Sequence, residues 1–202
     1  MYVNKRTYQP TLCVGIDIGI TTMATCYINK ENNAVVGWFL DNLLDFQQDP
    51  PIGKRGKPLA QQKPSITELL DMLILTFDRH TEELEDMELE RVTIECQPHM
   101  KNPRFKDLSV ALAMYYKLRF PKTEVKMVLP ESKFRSQTNT RYWLVEWGEK
   151  VPKSYMARKR ASVVMAIHIL IVESDMEARA FLERQKKADD LADAFLLALL
   201  GV

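Results

Sequence analysis

The stretch TLCVGIDIG, Thr11 to Gly19, is a short apolar run that one aspartate, Asp17, interrupts. A continuous apolar run of this length is typical of a strand in the centre of a sheet. Two more segments of strand length follow, TTMATCYIN and AVVGWFL, and the polar stretch NKENN lies between them as a turn. The pattern therefore predicts that the first three elements form an antiparallel meander.

The rest of the chain alternates between helix and strand patterns. Ser65 can cap a helix that runs to about His80, with Glu68 as the capping-box partner. RVTIECQ and EVKMVLP are predicted as the fourth and fifth strands, and a helix with Pro103 at its first position separates them. Further helices follow, the first of them from Ser154. This order predicts an α/β fold with a five-stranded mixed sheet flanked by helices, in which strands 1 to 3 are antiparallel and strands 4 and 5 are parallel.

The length of 202 residues, 46% of them hydrophobic, is enough for one well-packed domain over residues 1–202. Two segments lack a clear period. A loop insertion at about 45–64 is rich in proline, glycine and lysine, and an irregular basic segment occupies about 131–153. We expect both to be elaborations of that domain.

The sequence has no pattern typical of a membrane or secreted protein. No apolar run reaches the roughly 18 residues that cross a bilayer, and MYVNKRTYQP lacks the apolar centre of a signal peptide. The three cysteines show no CxxC spacing, so neither a disulfide framework nor a zinc site is predicted. We therefore expect a soluble intracellular protein with no membrane partner.

Charge is strongly segregated along the chain, although the net charge is only +1. The segment from Asp78 to Glu95 contains eight acidic residues and two arginines. The segment from His99 to Arg160 contains fifteen basic residues and five acidic ones. Such asymmetry indicates a polyanionic partner, and an unevenly charged but solvated surface is the alternative. We expect seven basic residues to contact this polyanionic partner: Lys101, Arg104, Lys133, Arg135, Arg158, Lys159 and Arg160.

Four acids occupy places where a charge is costly. Asp17 and Glu95 each lie in or after an apolar strand pattern, where an ionised carboxylate needs a partner or a metal. Asp190 and Asp193 are three residues apart in KKADDLADAFLLALL, so they share one face of the last helix and repel each other. If strands 1 and 4 are neighbours and the last helix crosses their ends, the four carboxylates converge.

Carboxylates without histidine or cysteine prefer hard cations, so the pattern predicts Mg²⁺ or Mn²⁺, with two ions per site. Paired ions of this kind stabilise the attacking water and the leaving oxygen when a phosphodiester is cleaved. Each acid also has a simpler interpretation. A strand aspartate can be a satisfied structural group, and Asp189 or Asp190 can serve only to cap the last helix.

Four segments, VGIDIGITTMATCYI, TIECQP, RKRASVVMAI and KKADDLADAFLLAL, resemble motifs of the ribonuclease H-like RuvC superfamily. The resemblance is to the Holliday-junction resolvases of poxviruses and other large DNA viruses and to their fungal mitochondrial relatives. It implies a viral replication site in the host cytoplasm or, for the fungal type, the mitochondrion. It implies metal ligands at Asp17, Glu95, Asp190 and Asp193, with Asp189 as an auxiliary acid.

The resemblance implies an endodeoxyribonuclease that resolves four-way DNA junctions by paired symmetric nicks. Two opposed cuts and one set of acids per chain favour a homodimer, since a two-fold protein pair matches a two-fold junction. The helices predicted at 104–120 and 154–173 are candidate contacts, and burial of their apolar residues within the monomer is the alternative.

Two other classes of protein fit part of the sequence. DIGITT also resembles the first phosphate-binding loop of actin-like and sugar-kinase ATPases, but those proteins need a second lobe and further glycine-rich loops, and this chain has seven glycines. A nucleic-acid-binding module without catalysis accounts for the basic residues but not for the costly acids. We expect no nucleotide cofactor, and cleavage with magnesium and without ATP would separate the three classes.

Overall fold

The computed structural model describes residues 1–3, 11–45, 64–84, 87–96, 103–134 and 154–201. The strands are β1 Tyr2–Val3, β2 Thr11–Asp17, β3 Met23–Asn29, β4 Val35–Asp41, β5 Glu88–Glu95 and β6 Glu124–Val128. The α-helices are α1 Ile66–Glu83, α2 Pro103–Arg119, α3 Tyr155–Val172, α4 Met176–Glu183 and α5 Ala188–Ala198, with 3-10 turns at Ser132–Phe134 and Leu199–Gly201.

The strands form one mixed sheet in the order β1-β4-β3-β2-β5-β6. The meander β2-β3-β4 is antiparallel, and β5 and β6 continue from β2 in parallel, which confirms the predicted mixed α/β arrangement. The predicted count of five strands is wrong. A sixth strand, β1, pairs with β4 through Tyr2 and Val3, and two residues are too few to produce a periodic pattern in the sequence.

Helices cover both faces of the sheet. On one face α1 and α2 pack on a core that includes Val14, Tyr27, Phe77 and Tyr116. On the other, α3, α4 and α5 pack on a second core, which includes Cys13, Trp38, Met165 and Phe195. Because β2 contributes to both cores, its continuous apolar run is explained by burial on two faces.

The helix starts agree with the capping signals in the sequence. Ser65 Oγ accepts a hydrogen bond from the Glu68 backbone N–H (3.2 Å), and Glu68 Oε2 accepts one from the Ser65 N–H (2.7 Å), which completes the predicted capping box. At the start of α3, Ser154 Oγ accepts a hydrogen bond of 3.2 Å from the Ala157 backbone N–H, without a reciprocal side-chain bond. Pro103 is the first residue of α2 as predicted.

Helix α5 lies unusually close to β2. A Cβ atom at Gly15 would be 2.0 Å from the carbonyl oxygen of Ala194 and 2.2 Å from the amide nitrogen of Ala198, so only glycine fits there. Trp38 on β4 adds a buried hydrogen bond to the Leu191 carbonyl, 3.0 Å long. These contacts fix α5 across the centre of the sheet.

The insertion predicted at 45–64 lies outside the described residues over 46–63, as does the basic segment over 135–153. Within the described part of the chain, no helix is both long enough and apolar enough to span a bilayer.

Candidate active site

Asp17 and Glu95 end two neighbouring parallel strands. Ile16 on β2 is in register with Ile94 on β5. The next residues, Asp17 and Glu95, therefore lie beside each other at the carboxyl ends of these two parallel strands. Asp17 is 8% exposed and Glu95 is 4% exposed. Two nearly buried acids therefore lie side by side, as the apolar strand patterns predict.

Helix α5 brings two more acids to this edge. Asp190 and Asp193, in its first turns, are 7% and 5% exposed. They line the same cleft as Asp17 and Glu95, a cavity of about 910 Å³. The structure thus brings together the four acids that the sequence predicts, and the close packing at Gly15 sets the helix position that makes this possible.

Two lysines stand between the acids. Lys133, in the 3-10 turn after β6, places its Nζ 2.9 Å from Glu95 Oε2 and 2.8 Å from Asp193 Oδ2. Lys159, near the start of α3, forms an ion pair with Asp190, and its Nζ lies 3.0 Å from Asp189 Oδ2. Both ammonium groups neutralise carboxylates that would otherwise repel each other.

The titration of the cluster follows from burial and crowding. Burial raises the pKa of Asp17 well above its ordinary value, and the neighbouring Glu95 and Asp193 raise it further. Burial opposes the charged form of Lys133 and Lys159, but the surrounding carboxylates outweigh it, so the pKa of each lysine is raised. Burial likewise opposes the charged form of Asp189, but Lys159 lowers its pKa overall.

The donor set suits Mg²⁺ or Mn²⁺. All four acids offer carboxylate oxygens, and Asp193 Oδ1 is buried without a hydrogen-bond partner among the described residues. As the side chains stand, however, the described residues contain no group of three or more acids, histidines or cysteines in metal-binding geometry. The residues therefore fit a hard cation by chemistry, and the two ammonium groups contact three of the four carboxylates, those of Glu95, Asp190 and Asp193.

Of the five remaining predicted DNA contacts, two line the cleft. Arg158 and Arg104 line it, and Arg104 Nη1 donates a hydrogen bond of 2.9 Å to the Pro64 carbonyl. Arg160 is exposed and is not among the residues that line the cleft. Lys101 and Arg135 lie outside the described residues. DNA contact at all seven predicted positions stays a prediction.

Two features of the cleft were missed from sequence. The first is the ion pair between Lys159 and Asp190. The repulsion between Asp190 and Asp193 and the basic start of α3 were the signals from which it could have been found. Tyr155, 59% exposed, lines the cleft with its ring centroid 5.8 Å from Lys159 Nζ. No sequence signal identifies this tyrosine.

The order of the strands and helices is that of a RuvC-like fold. Two solved structures share it. "Thermus thermophilus RuvC structure" matches with a TM-score of 0.57 and 15% identity over 94% of this chain and 92% of that chain. "T. thermophilus RuvC in complex with Holliday junction substrate" matches with a TM-score of 0.53 and 16% identity over 94% and 91%.

Sequence comparison finds weaker similarity to known proteins than structural comparison does. No protein-family model matches the chain. Over 132 residues it is 26% identical to "Uncharacterized protein L451" of Acanthamoeba polyphaga mimivirus, a match that covers 61% of this chain and 31% of that protein. The chain thus matches about a third of the length of this relative.

Proposed function

We propose that the protein is a metal-dependent, structure-selective DNA endonuclease that resolves four-way junctions by paired nicks. One observation carries the proposal: Asp17, Glu95, Asp190 and Asp193 come from three separate elements and line one cleft in a RuvC-like fold. Burial of four carboxylates costs free energy of folding. Binding of divalent ions that assist phosphodiester cleavage would be a functional reason for the protein to carry these acids.

In this proposal Asp17, Glu95, Asp190 and Asp193 hold two Mg²⁺ or Mn²⁺ ions. When bound, such ions supply an activated water and stabilise the charge on the leaving oxygen. Asp189 orients Lys159 through their ion pair. Arg158 and Arg104 bind phosphates on either side of the cut, since both guanidinium groups belong to residues that line the cleft.

The junction as substrate rests on likeness to the RuvC structure whose title names a Holliday junction substrate. Branched DNA is therefore the first substrate class to test. The mimivirus relative favours the viral type over the fungal mitochondrial type, and this part of the proposal rests on one distant match.

A homodimer follows from the need for two opposed cuts. On α2 the outer face carries Val110, Met114 and Leu118, which are 43%, 59% and 77% exposed. Positions four residues apart lie on one helix face, so these side chains form a continuous apolar stripe. We propose that α2, one of the two helices predicted from sequence, provides the subunit contact.

Cleavage assays with matched substrates test the proposal. Purified protein with Mg²⁺ and without ATP is given four-way junctions, flaps, linear duplexes and RNA–DNA hybrids. We expect symmetric cuts in junctions and little cleavage of linear duplexes. Asp190→Asn should lower the cleavage rate by orders of magnitude while junction binding persists. Near wild-type cleavage by Asp190→Asn would refute the assigned site.

The neutralised cluster favours a second candidate function, a nucleic-acid-binding module without catalysis. Lysine ion pairs already satisfy several of the carboxylates, so the acids can be structural. Junction binding with no cleavage in either Mg²⁺ or Mn²⁺ would establish this alternative. Cleavage that depends on ATP would instead indicate the ATPase class.

A further inference from the structure

We propose that Lys133 and Lys159 are built-in counter-ions that a divalent ion must displace before it can bind the four acids. The inference rests on the proposed function in one respect, that these acids bind metal. It adds a property that the proposed function does not contain: the chain's own side chains compete with the metal and weaken its binding.

Lys133 is held between two of the proposed ligands. Its Nζ contacts Glu95 on β5 and Asp193 on α5 at 2.9 and 2.8 Å, and its side chain is only 6% exposed. The ammonium therefore contacts one carboxylate from each of two elements, β5 and α5, out of the three that carry the proposed metal ligands. A divalent ion bound to the same oxygens and an ammonium at these distances exclude each other by charge and by volume.

Lys159 holds the other side of the cluster. It pairs with Asp190, lies 3.0 Å from Asp189 Oδ2 and reaches to 3.7 Å from Asp193 Oδ2. Its side chain is 15% exposed, so it lies nearer to solvent than Lys133 does. The ring of Tyr155 at the cleft lining gives the displaced ammonium a nearby cation–π partner.

Carboxylate crowding explains why the chain carries two lysines here. Without a cation, Asp17, Glu95, Asp190 and Asp193 would repel each other in a nearly buried site. The ammonium groups relieve that repulsion in the metal-free protein, and their flexible four-carbon stems allow them to leave without movement of the backbone. Competition with the metal is the consequence, because both cations need the same oxygens.

Metal binding to the DNA-free protein, measured by titration calorimetry with MnCl₂ and MgCl₂, tests the proposal. Lys159→Met and Lys133→Met remove one competitor each and keep the length of the side chain. We expect each variant to bind Mn²⁺ between about fivefold and 150-fold more tightly than the wild type, the usual range for coupled binding events. Lys30→Met is the matched control, since Lys30 pairs with the exposed Glu90 outside the cleft.

Thermal unfolding provides a second measurement. We expect Lys159→Met to lower the Tm of the metal-free protein, because the acids lose a counter-ion, and saturating Mn²⁺ to remove most of that difference. If Lys133→Met does not fold without metal, it is refolded with Mn²⁺. Recovery of the fold supports the proposal, and no recovery overturns the role of Lys133.

The outcomes separate this inference from the proposed function. Folded Lys159→Met protein with unchanged or weaker Mn²⁺ affinity would overturn the competition, even if the wild type cleaves junctions. Junction cleavage by the wild type with Mg²⁺ decides the proposed function independently. If no folded variant binds Mn²⁺ and the wild type does not cleave, both proposals fail.

Discussion

Asp17 is a buried acid whose charged form is disfavoured at the candidate site. It is buried at the end of β2, with Glu95 and Asp193 nearby, and its pKa is raised for those reasons. The folded protein therefore binds the Asp17 proton more tightly than the unfolded chain does. The stability that this provides is fully present below the ordinary pKa and is lost as the pH rises through the raised value.

Replacement of Asp17 with asparagine should therefore stabilise the metal-free protein. The substitution keeps the size of the side chain and removes the charge that burial penalises. We expect Asp17→Asn to have a higher Tm than the wild type at pH 7 and a gain that shrinks toward pH 4, while cleavage is lost. Differential scanning calorimetry in EDTA over this pH range measures the effect.

Asp71→Asn, on the exposed side of α1, is the control for that experiment. It should change the Tm little and equally at each pH. A lower Tm for Asp17→Asn, or a gain that does not depend on pH, would show that the charge of Asp17 is well compensated in the metal-free fold.

The sequence was sufficient to identify the acids but not the groups that face them. An aspartate inside an apolar strand is improbable without a reason, so Asp17 and Glu95 are recognisable from their neighbours alone. A lysine has no such signature, because the same side chain serves a phosphate or a carboxylate. Lys133 and Lys159 were therefore predicted as DNA contacts, and their pairing with the acids emerged only from the fold.

At the scale of elements, the contact of α5 with β2 at Gly15 positions half of the acids. Gly15→Ala would place a methyl group against the backbone of Ala194 and Ala198, which cannot move without shifting the helix. We expect a loss of about 3 kcal/mol in the free energy of unfolding, the upper end of the usual cost of overpacking, measured by urea denaturation. A shifted α5 should also reduce cleavage.

Gly37→Ala provides the comparison for Gly15→Ala. The new methyl group would meet side-chain atoms of Phe39 and Leu84, at 2.9 and 3.4 Å, and these can rotate away. Its cost should be clearly smaller. Equal losses for the two variants would indicate that α5 adjusts easily and that glycine is not needed at position 15.

At the start of α3, the proposed contact between Arg158 and a DNA phosphate can be tested. Arg158 lines the cleft and lies 4.0 Å from Glu131, a weak surface pair that leaves the guanidinium available for phosphate. Arg158→Ala should weaken junction binding and reduce the slope of log K against log salt by about 0.9 for one lost phosphate contact. Fluorescence anisotropy at several salt concentrations measures this slope.

Arg179→Ala is a suitable control for Arg158→Ala. Arg179 lies on α4, where it pairs with Glu183 one turn along the helix. We expect no change in the salt slope. If Arg158→Ala also leaves the slope unchanged, Arg158 does not bind a phosphate of the junction.

Elements with a long hydrophobic pattern or a clear capping signal were predictable from sequence, whereas strand β1 was not. Capping signals at Ser65 and Ser154 and the apolar strands gave the correct types because local and tertiary preferences agree there. Strand β1 exists only because Tyr2 and Val3 pair with Trp38 and Gly37, which are remote in sequence. Pairing between residues that are distant in sequence produces no pattern in the residues around Tyr2 and Val3.

At the scale of the whole molecule, the proposed dimer can be tested by mixing subunits. Heterodimers of wild-type and Asp190→Asn chains contain one intact site, so they should nick one strand of a junction without completing its resolution. Gel analysis under native and denaturing conditions distinguishes nicked from resolved junctions. A protein that stays monomeric on DNA by light scattering, yet makes paired symmetric cuts, would rule out the dimer.

The apolar stripe on α2 allows the proposed dimer contact itself to be tested by mutation. Met114→Asp places a charge in the middle of the stripe and should convert dimers to monomers in sedimentation experiments. Met176→Asp on α4, which is 54% exposed, is the control and should leave the oligomeric state unchanged. Dimers that survive Met114→Asp would favour α3 as the contact.

The acids of the site come from distant parts of the chain, since Asp17 lies on β2 and Asp190 and Asp193 lie on α5. Translation produces these parts in sequence, so a nascent chain that already holds Asp17 and Glu95 still lacks the helix that completes the proposed centre. Such a chain also lacks the helix that covers the centre of one face of the sheet, so we expect it to expose apolar surface and to aggregate more readily. Under the proposed function, we therefore expect chains that end before α5 to be unable to cut DNA.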